Sequence, residues 1–209
     1  MTRSGRSATP EEKAFVNTLV KAGLLLLIVG QAAAGYSDSD IWGHMSIGLD
    51  MLNGHQFLWT DPYSFTSDQA WINHEWLWDV VSAAVYRAGG LPALVVFRAV
   101  LAGIVLWVVD RATQRVPGWM RIAALCLVAV ACAGQWRSTR PQMATLAFYA
   151  VLLPNVSAWW LPLLFAVWAN THGGWVFGFG ALVFHALTSR RIRSWAIRGR
   201  IAGRGRQRV

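Results

Sequence analysis

The sequence predicts an all-α, polytopic membrane protein with about six transmembrane helices and two juxtamembrane amphipathic helices in its first external loop. Three observations carry this reading. Of 209 residues, 55% are apolar and only 14% charged, more apolar side chain than a soluble domain of this size can cover. The apolar residues come in runs separated by short polar stretches. The 13 tryptophans and the net charge of +9 fit membrane helices with indole anchors and basic ends. Nucleic acid is excluded as the reason for that charge, because the basic residues flank apolar runs. Cys126 and Cys132 fall inside one such run, where thiols act as small hydrophobes and form neither a disulfide framework nor a CxxC metal motif.

Residues 1–14 read as a polar cytoplasmic segment carrying Arg3, Arg6 and Lys13. The apolar stretch from Phe15 to Tyr36, interrupted by Lys21, predicts the first span. Ala32-Ala33-Ala34 offers a signal-peptidase alternative, but the apolar core is long for a signal peptide and further spans follow. From Tyr36 to Tyr86 there are seven of the ten acids and no Lys or Arg, which marks a large external loop over residues 37–90. Ile41, Met45, Leu49 and Leu52 recur on one helical face, and Asn53-Gly54 ends that helix. Thr60-Asp61-Pro62-Tyr63-Ser64 predicts a turn. A second loop helix is predicted from about Asn73 to Tyr86, with Glu75, Asp79, Ser82 and Tyr86 in a polar stripe that suits a helix lying among lipid headgroups.

After Gly89-Gly90, apolar segments at 91–110, 120–136, 141–155, 157–170 and 174–188 predict five more spans. Several are shorter than the ~20 residues that cross a bilayer squarely. Residues 189–209 carry eight arginines among glycines and read as a basic cytoplasmic tail beside anionic lipid. With both termini in the cytoplasm, fifteen of the 19 basic residues fall on the cytoplasmic side. Counting Asn73–Tyr86 as a span would reverse that bias.

This topology gathers the polar residues at the outer face. Asp40 and His44 lie four apart and share one helical face. Asp40 serves either as a helix cap or as a carboxylate that takes a proton from a hydroxyl or binds a divalent cation. Glu75, beside His74, could add a ligand to such a cation. Arg98, Arg137 and Arg140, with Arg87, oppose the charge bias; they either pair with loop carboxylates or hold a phosphate. Gln142 follows Arg140-Pro141. His172 precedes Gly173-Gly174, as a satisfied turn residue or as part of a site. His185 is expected to be a buried hydrogen-bonding side chain, and Trp159, Trp160 and Trp175 to be interfacial anchors.

Asp40-Ile41-Trp42-Gly43-His44, Thr60-Asp61-Pro62-Tyr63-Ser64-Phe65-Thr66, Trp71 and His74-Glu75-Trp76-Leu77 together resemble the first external loop of the C-type (GT-C) membrane glycosyltransferases. Arg140-Pro141-Gln142 and Trp168 to Gly174 match later elements of bacterial proteins of that kind, so the likeness covers most of a module at 15–188. The resemblance implies sugar transfer, with inversion, from a polyprenyl-phosphate donor to an acceptor outside the cytoplasm, in the bacterial inner (plasma) membrane. It implies Asp40 and His44 as catalytic residues, and Arg98, Arg137, Arg140, Gln142, Glu75 and His172 around the substrate. A divalent cation is present in some branches and absent in others. Two departures stand out. Where several branches place a second external acid, this chain has Arg140-Pro141-Gln142. It also lacks the further spans common in the family, which implies a shortened member. The alternative is a non-catalytic scaffold or lipid-binding subunit of the same fold that works with a partner membrane subunit.

Overall fold

The computed structural model describes residues 9–34, 39–54, 63, 65 and 70–189. Every regular element among them is helical: α1 Pro10–Ala33, α2 Ser39–Leu52, α3 Trp76–Ala112, α4 Gly118–Ala131, α5 Ala133–Trp136, α6 Gln142–Leu152, α7 Leu161–Ala169 and α8 Trp175–Ser189. The Arg3 and Arg6 end, the Thr60–Ser64 turn apart from Tyr63, and the arginine tail beyond Ser189 lie outside the described residues.

Helix α1 begins five residues before the predicted span. Thr9 and Glu12 form a reciprocal capping box, the Thr9 hydroxyl accepting from Glu12 N at 3.2 Å and Glu12 Oε2 accepting from Thr9 N at 2.7 Å, with Pro10 preset for the first turn. Along α1 only Leu24, Ile28 and Ala32 are buried, while Phe15, Leu19, Leu25, Leu26 and Leu27 are exposed.

Helix α3 breaks where the glycine pair predicts it. Gly89 and Gly90 leave helical geometry, and Gly90 takes φ 63°, ψ −151°, a backbone setting open in practice to glycine alone. In a straight helix Trp78 and Phe97 would lie roughly 28 Å apart along the axis. Their rings are 5.6 Å apart. The chain therefore doubles back at Gly89-Gly90, and α3 is a hairpin of two arms, 76–88 and 91–112.

The first arm corrects one expectation. Its polar stripe does not face water or headgroups: Asp79 is 1% exposed and Ser82 fully buried, because this face packs against α2. Gly48 makes the approach possible. A Cβ there would stand 2.1 Å from the Asp79 carbonyl oxygen and 2.7 Å from Ala83 Cβ. Met45, Ala83 and Leu94 close the contact, with Ile41 and Leu49 of the predicted apolar face beside them.

Each of the six predicted apolar segments contains a helix, but among the described residues only Ala14–Ala33 and Trp76–Ala112, the latter counted through its reversal at Gly89-Gly90, are long and apolar enough to cross a membrane. Helices α6 and α7 are cut short by a 3-10 turn at Leu153–Asn155, where Pro154 offers no amide hydrogen, and by the turn at Asn170. The main core, formed by Ile28, Trp78, Ala102, Val105, Trp136, Met143, Ala144 and Ala147, joins α1, both arms of α3, α5 and α6. At the end of the bundle away from α2, Asp110 receives Lys21 Nζ at 2.9 Å and Arg121 Nη2 at 2.6 Å, tying α1, α3 and α4.

His185 is a second correction. It lies exposed on α8, 3.2 Å from Ser189 Oγ, at the edge of a cavity it lines with Tyr149, Leu153 and Val156.

Gly48→Ala is expected to destabilise the fold by about 1–3 kcal/mol through overpacking. Gly43→Ala, on the same helix with open space around its Cβ, should be neutral or stabilising by up to about 1 kcal/mol. Thermal unfolding of the two variants in one detergent checks the contrast; equal midpoints would remove the close-crossing account.

Candidate functional site

One end of the bundle collects residues from four places: the start of α2 (Asp40, His44), the start of α3 (Asn73, Glu75, Asp79), the α5–α6 connection (Arg137, Arg140), and the α7–α8 turn (Asn170, His172). The start of α3 and the end of α7 are locked together there. Leu77 N donates to the Asn170 carbonyl at 3.0 Å, and Trp76 Nε1 donates to Asn170 Oδ1 at 2.7 Å.

At the centre is a dyad. His44 Nδ1 lies 2.5 Å from Asp79 Oδ1, and Asn73 Nδ2 donates to Asp79 Oδ2 at 2.6 Å. Asn73 is itself held by Glu75 N, which donates to its Oδ1 at 2.9 Å. Both oxygens of a carboxylate shut away from water thus have donors, as a buried charge requires. Burial works against a charged His44, but the Asp79 hydrogen bond, with the negative charges of Asp79, Glu75 and Asp40, outweighs it and holds the imidazole pKa above its ordinary value.

Beside the dyad, Arg140 Nη2 pairs with Asp40 Oδ2 at 2.9 Å, and both side chains remain partly open to solvent. Asp40 sits in the first turn of α2, where a carboxylate also suits the helix dipole. Its place inside the first turn of α2 and its ion pair with Arg140 therefore coexist.

His172 has the opposite electrostatic setting. Its Nδ1 is 2.7 Å from Thr145 Oγ1 and accepts from Gly174 N at 3.1 Å. Thr145 Oγ1 in turn accepts from Trp168 Nε1 at 2.9 Å, so its own proton is directed at His172. Two donors aimed at Nδ1 fix the neutral tautomer with hydrogen on Nε2, which stands 3.7 Å from Glu75 Oε1. Burial, with His74 adding to it against the pull of Glu75, keeps the His172 pKa below its ordinary value. Gly174 permits this turn, since a Cβ there would lie 2.6 Å from Thr145 Oγ1 and 2.8 Å from His172 Nδ1.

Arg98 is buried at 8% exposure and acts on the main chain. It donates from Nη2 to the Ala32 carbonyl at 2.6 Å and from Nη1 to the Arg137 carbonyl at 2.9 Å. It thereby braces the end of α1 against the α5–α6 connection. Arg137 and Gln142 lie half-buried on either side of the Thr139-Arg140-Pro141 stretch, and Gln142 Oε1 is shielded from solvent. Among the described residues no three His, Cys, Asp or Glu side chains are grouped to hold a metal ion.

All eight sequence-nominated residues therefore come to this end of the bundle, and Asp40, His44, Glu75, His172 and Arg140 enter its polar network. Asp79, Asn73 and Thr145 were not nominated. Asp79 was visible as a member of the polar stripe, but its direction depends on the α2 crossing at Gly48, which spacing alone does not specify.

Comparison with protein-family models, curated proteins and solved structures gives no match for this chain.

Thr145→Val removes one donor to His172 and orphans Trp168 Nε1. It is expected to raise the His172 pKa toward its ordinary value and to destabilise the protein by about 1–3 kcal/mol. Imidazole-detected NMR titration and thermal unfolding check both; an unmoved titration would overturn the tautomer assignment.

Proposed function

We propose that the chain is a multi-pass membrane protein whose Asp40 end faces away from the cytoplasm and carries out GT-C-like sugar transfer from a polyprenyl-phosphate donor to an extracytoplasmic acceptor. The observation that carries the reading is the meeting of carboxylates, imidazoles and guanidinium groups from α2, α3, α5–α6 and α7–α8 at one end of an otherwise apolar bundle. Such a cluster has the two parts that the reaction needs. A departing lipid phosphate calls for fixed positive charge, which Arg140 and Arg137 offer at the rim. An acceptor hydroxyl calls for a proton acceptor, which Asp40 and His44 offer on one face of α2.

The membrane reading rests on the two helices of spanning length and on the apolar side chains left exposed along α1 and α8, including Leu26, Phe177, Phe184 and Leu187. Helices α4, α6, α7 and α8 complete six passes if the bilayer thins or their turns sit at headgroup depth. The inner membrane as location comes from the GT-C resemblance, and the charge bias supports placing both termini in the cytoplasm. In a background lacking Cys126 and Cys132, single cysteines replacing His74 and Gln114 are expected to label from opposite sides of the membrane. Labelling of both from one side would overturn the topology.

The test of transfer uses the full chain in lipid nanodiscs with a radiolabelled polyprenyl-phosphate sugar. Wild type is expected to bind the donor and transfer its sugar. Arg140→Ala should weaken donor binding about tenfold, the scale of one lost charge-assisted hydrogen bond. His44→Gln should reduce transfer by about 10²-fold or more with donor binding kept. Donor that neither binds nor turns over would end this reading. A second reading, a lipid-binding subunit without chemistry, is favoured by one observation, the pairing of Asp40 with Arg140. Binding without turnover in every variant would decide for it.

A further inference from the structure

We infer that the proton-accepting group of this site is His44, set by Asp79 as a positioning residue, and that Asp40 serves to hold Arg140. This deepens the sugar-transfer reading and rests on it for the identity of the substrate, but not for the existence of the dyad.

Three geometric facts separate the two candidate bases. Asp79 is fully desolvated and fixed through both oxygens, by His44 Nδ1 and by Asn73 Nδ2. A carboxylate held in this way cannot reach a substrate; it can orient a neighbouring ring and stabilise the charge that the ring acquires. With Nδ1 committed to Asp79, the nitrogen of His44 left for a substrate is Nε2, and the side chain keeps 18% of its surface open. Asp40, by contrast, is more than half exposed and lies against Arg140. Its Oδ2 is engaged by the Arg140 guanidinium at 2.9 Å, so that carboxylate positions a cation, whereas His44 keeps Nε2 uncommitted by the dyad.

The step balances as follows. The acceptor hydroxyl oxygen bonds to the anomeric carbon of the donor while its proton moves to His44 Nε2. The bond between the anomeric carbon and the phosphate oxygen breaks, and its electron pair leaves with the lipid phosphate toward Arg140. Asp79 stays ionised and faces the resulting imidazolium. The charged groups that bear on His44 are Asp79 and Glu75 from α3 and Asp40 from its own helix, with Arg140 behind Asp40. All three acids favour the imidazolium, and the bonded one most.

The test begins without substrate, on the full chain in nanodiscs with isotope-labelled histidine. In wild type the His44 Nδ1 proton should resonate downfield of every other ring N–H. Its absence would overturn the dyad, and this measurement needs no variant that might misfold. Asp79→Asn should increase the acid dissociation constant of His44 at least tenfold, since burial persists while the counter-charge is gone. Asp40→Asn should change it far less. An unaltered His44 titration in Asp79→Asn also overturns the proposal.

With donor and acceptor present, the transfer rate should rise with pH through the His44 titration. The inflection should move to lower pH in Asp79→Asn and stay near its wild-type position in Asp40→Asn. A rate profile that follows Asp40 instead would return the base to Asp40. If the downfield signal and the titration shift are found but no sugar is transferred, the dyad stands and the transfer reading falls.

Discussion

The close crossing of α2 over the first arm of α3 governs everything at the polar end of this molecule. Gly48 lets the two backbones meet, and that contact turns Asp79 and Ser82 inward. Once Asp79 is buried it must have donors, and His44, one turn before Gly48, and Asn73 supply them. The dyad is thus a product of packing. A methyl group at position 48 would push the helices apart and leave a carboxylate half-served in a medium that does not forgive it.

The apolar core and the polar end support each other through α3. Because the chain reverses at Gly89-Gly90, the same helix contributes Asp79 to the polar cluster and Ala102 and Val105 to the core beneath it. Trp78 bridges the two, its ring tilted 38° against that of Phe97 on the returning arm. Two histidines only a few residues' breadth apart in the fold end up in opposite states: His44 faces acids and favours its proton, whereas His172 faces donors and sheds it. Such divergence between like groups is what acid–base chemistry exploits.

Much of this was legible in the sequence. The glycine pair marks the reversal, Asn53-Gly54 ends α2, and the six apolar segments fall on helices. Asp40, His44, Glu75, Arg140 and His172 converge as the one-sided charge pattern implied. Two features were not readable, for physical reasons. The stripe of Glu75, Asp79, Ser82 and Tyr86 has the same spacing whether it meets water or another helix, and only the glycine opposite it decides. Helix length likewise depends on where turns close, so Pro154 and the Asn170 turn shorten segments that composition alone would extend. The start of α1 is written in Thr-Pro-Glu-Glu, a capping box with proline in the first turn, whereas apolar periodicity begins only at Phe15 because the first turn of this helix is polar.

Arg98 ties the far end of α1 to the rest by two carbonyl hydrogen bonds, on a helix that otherwise shows most of its side chains to its surroundings. A helix held so lightly by protein depends on the solvent around it. In the proposed membrane setting, hydrocarbon is the surrounding that suits its aliphatic side chains and internally bonded main chain. On that proposal the amphiphile that replaces the bilayer bears most directly on α1 and the Arg98 brace, because this helix buries so little of its surface against the others.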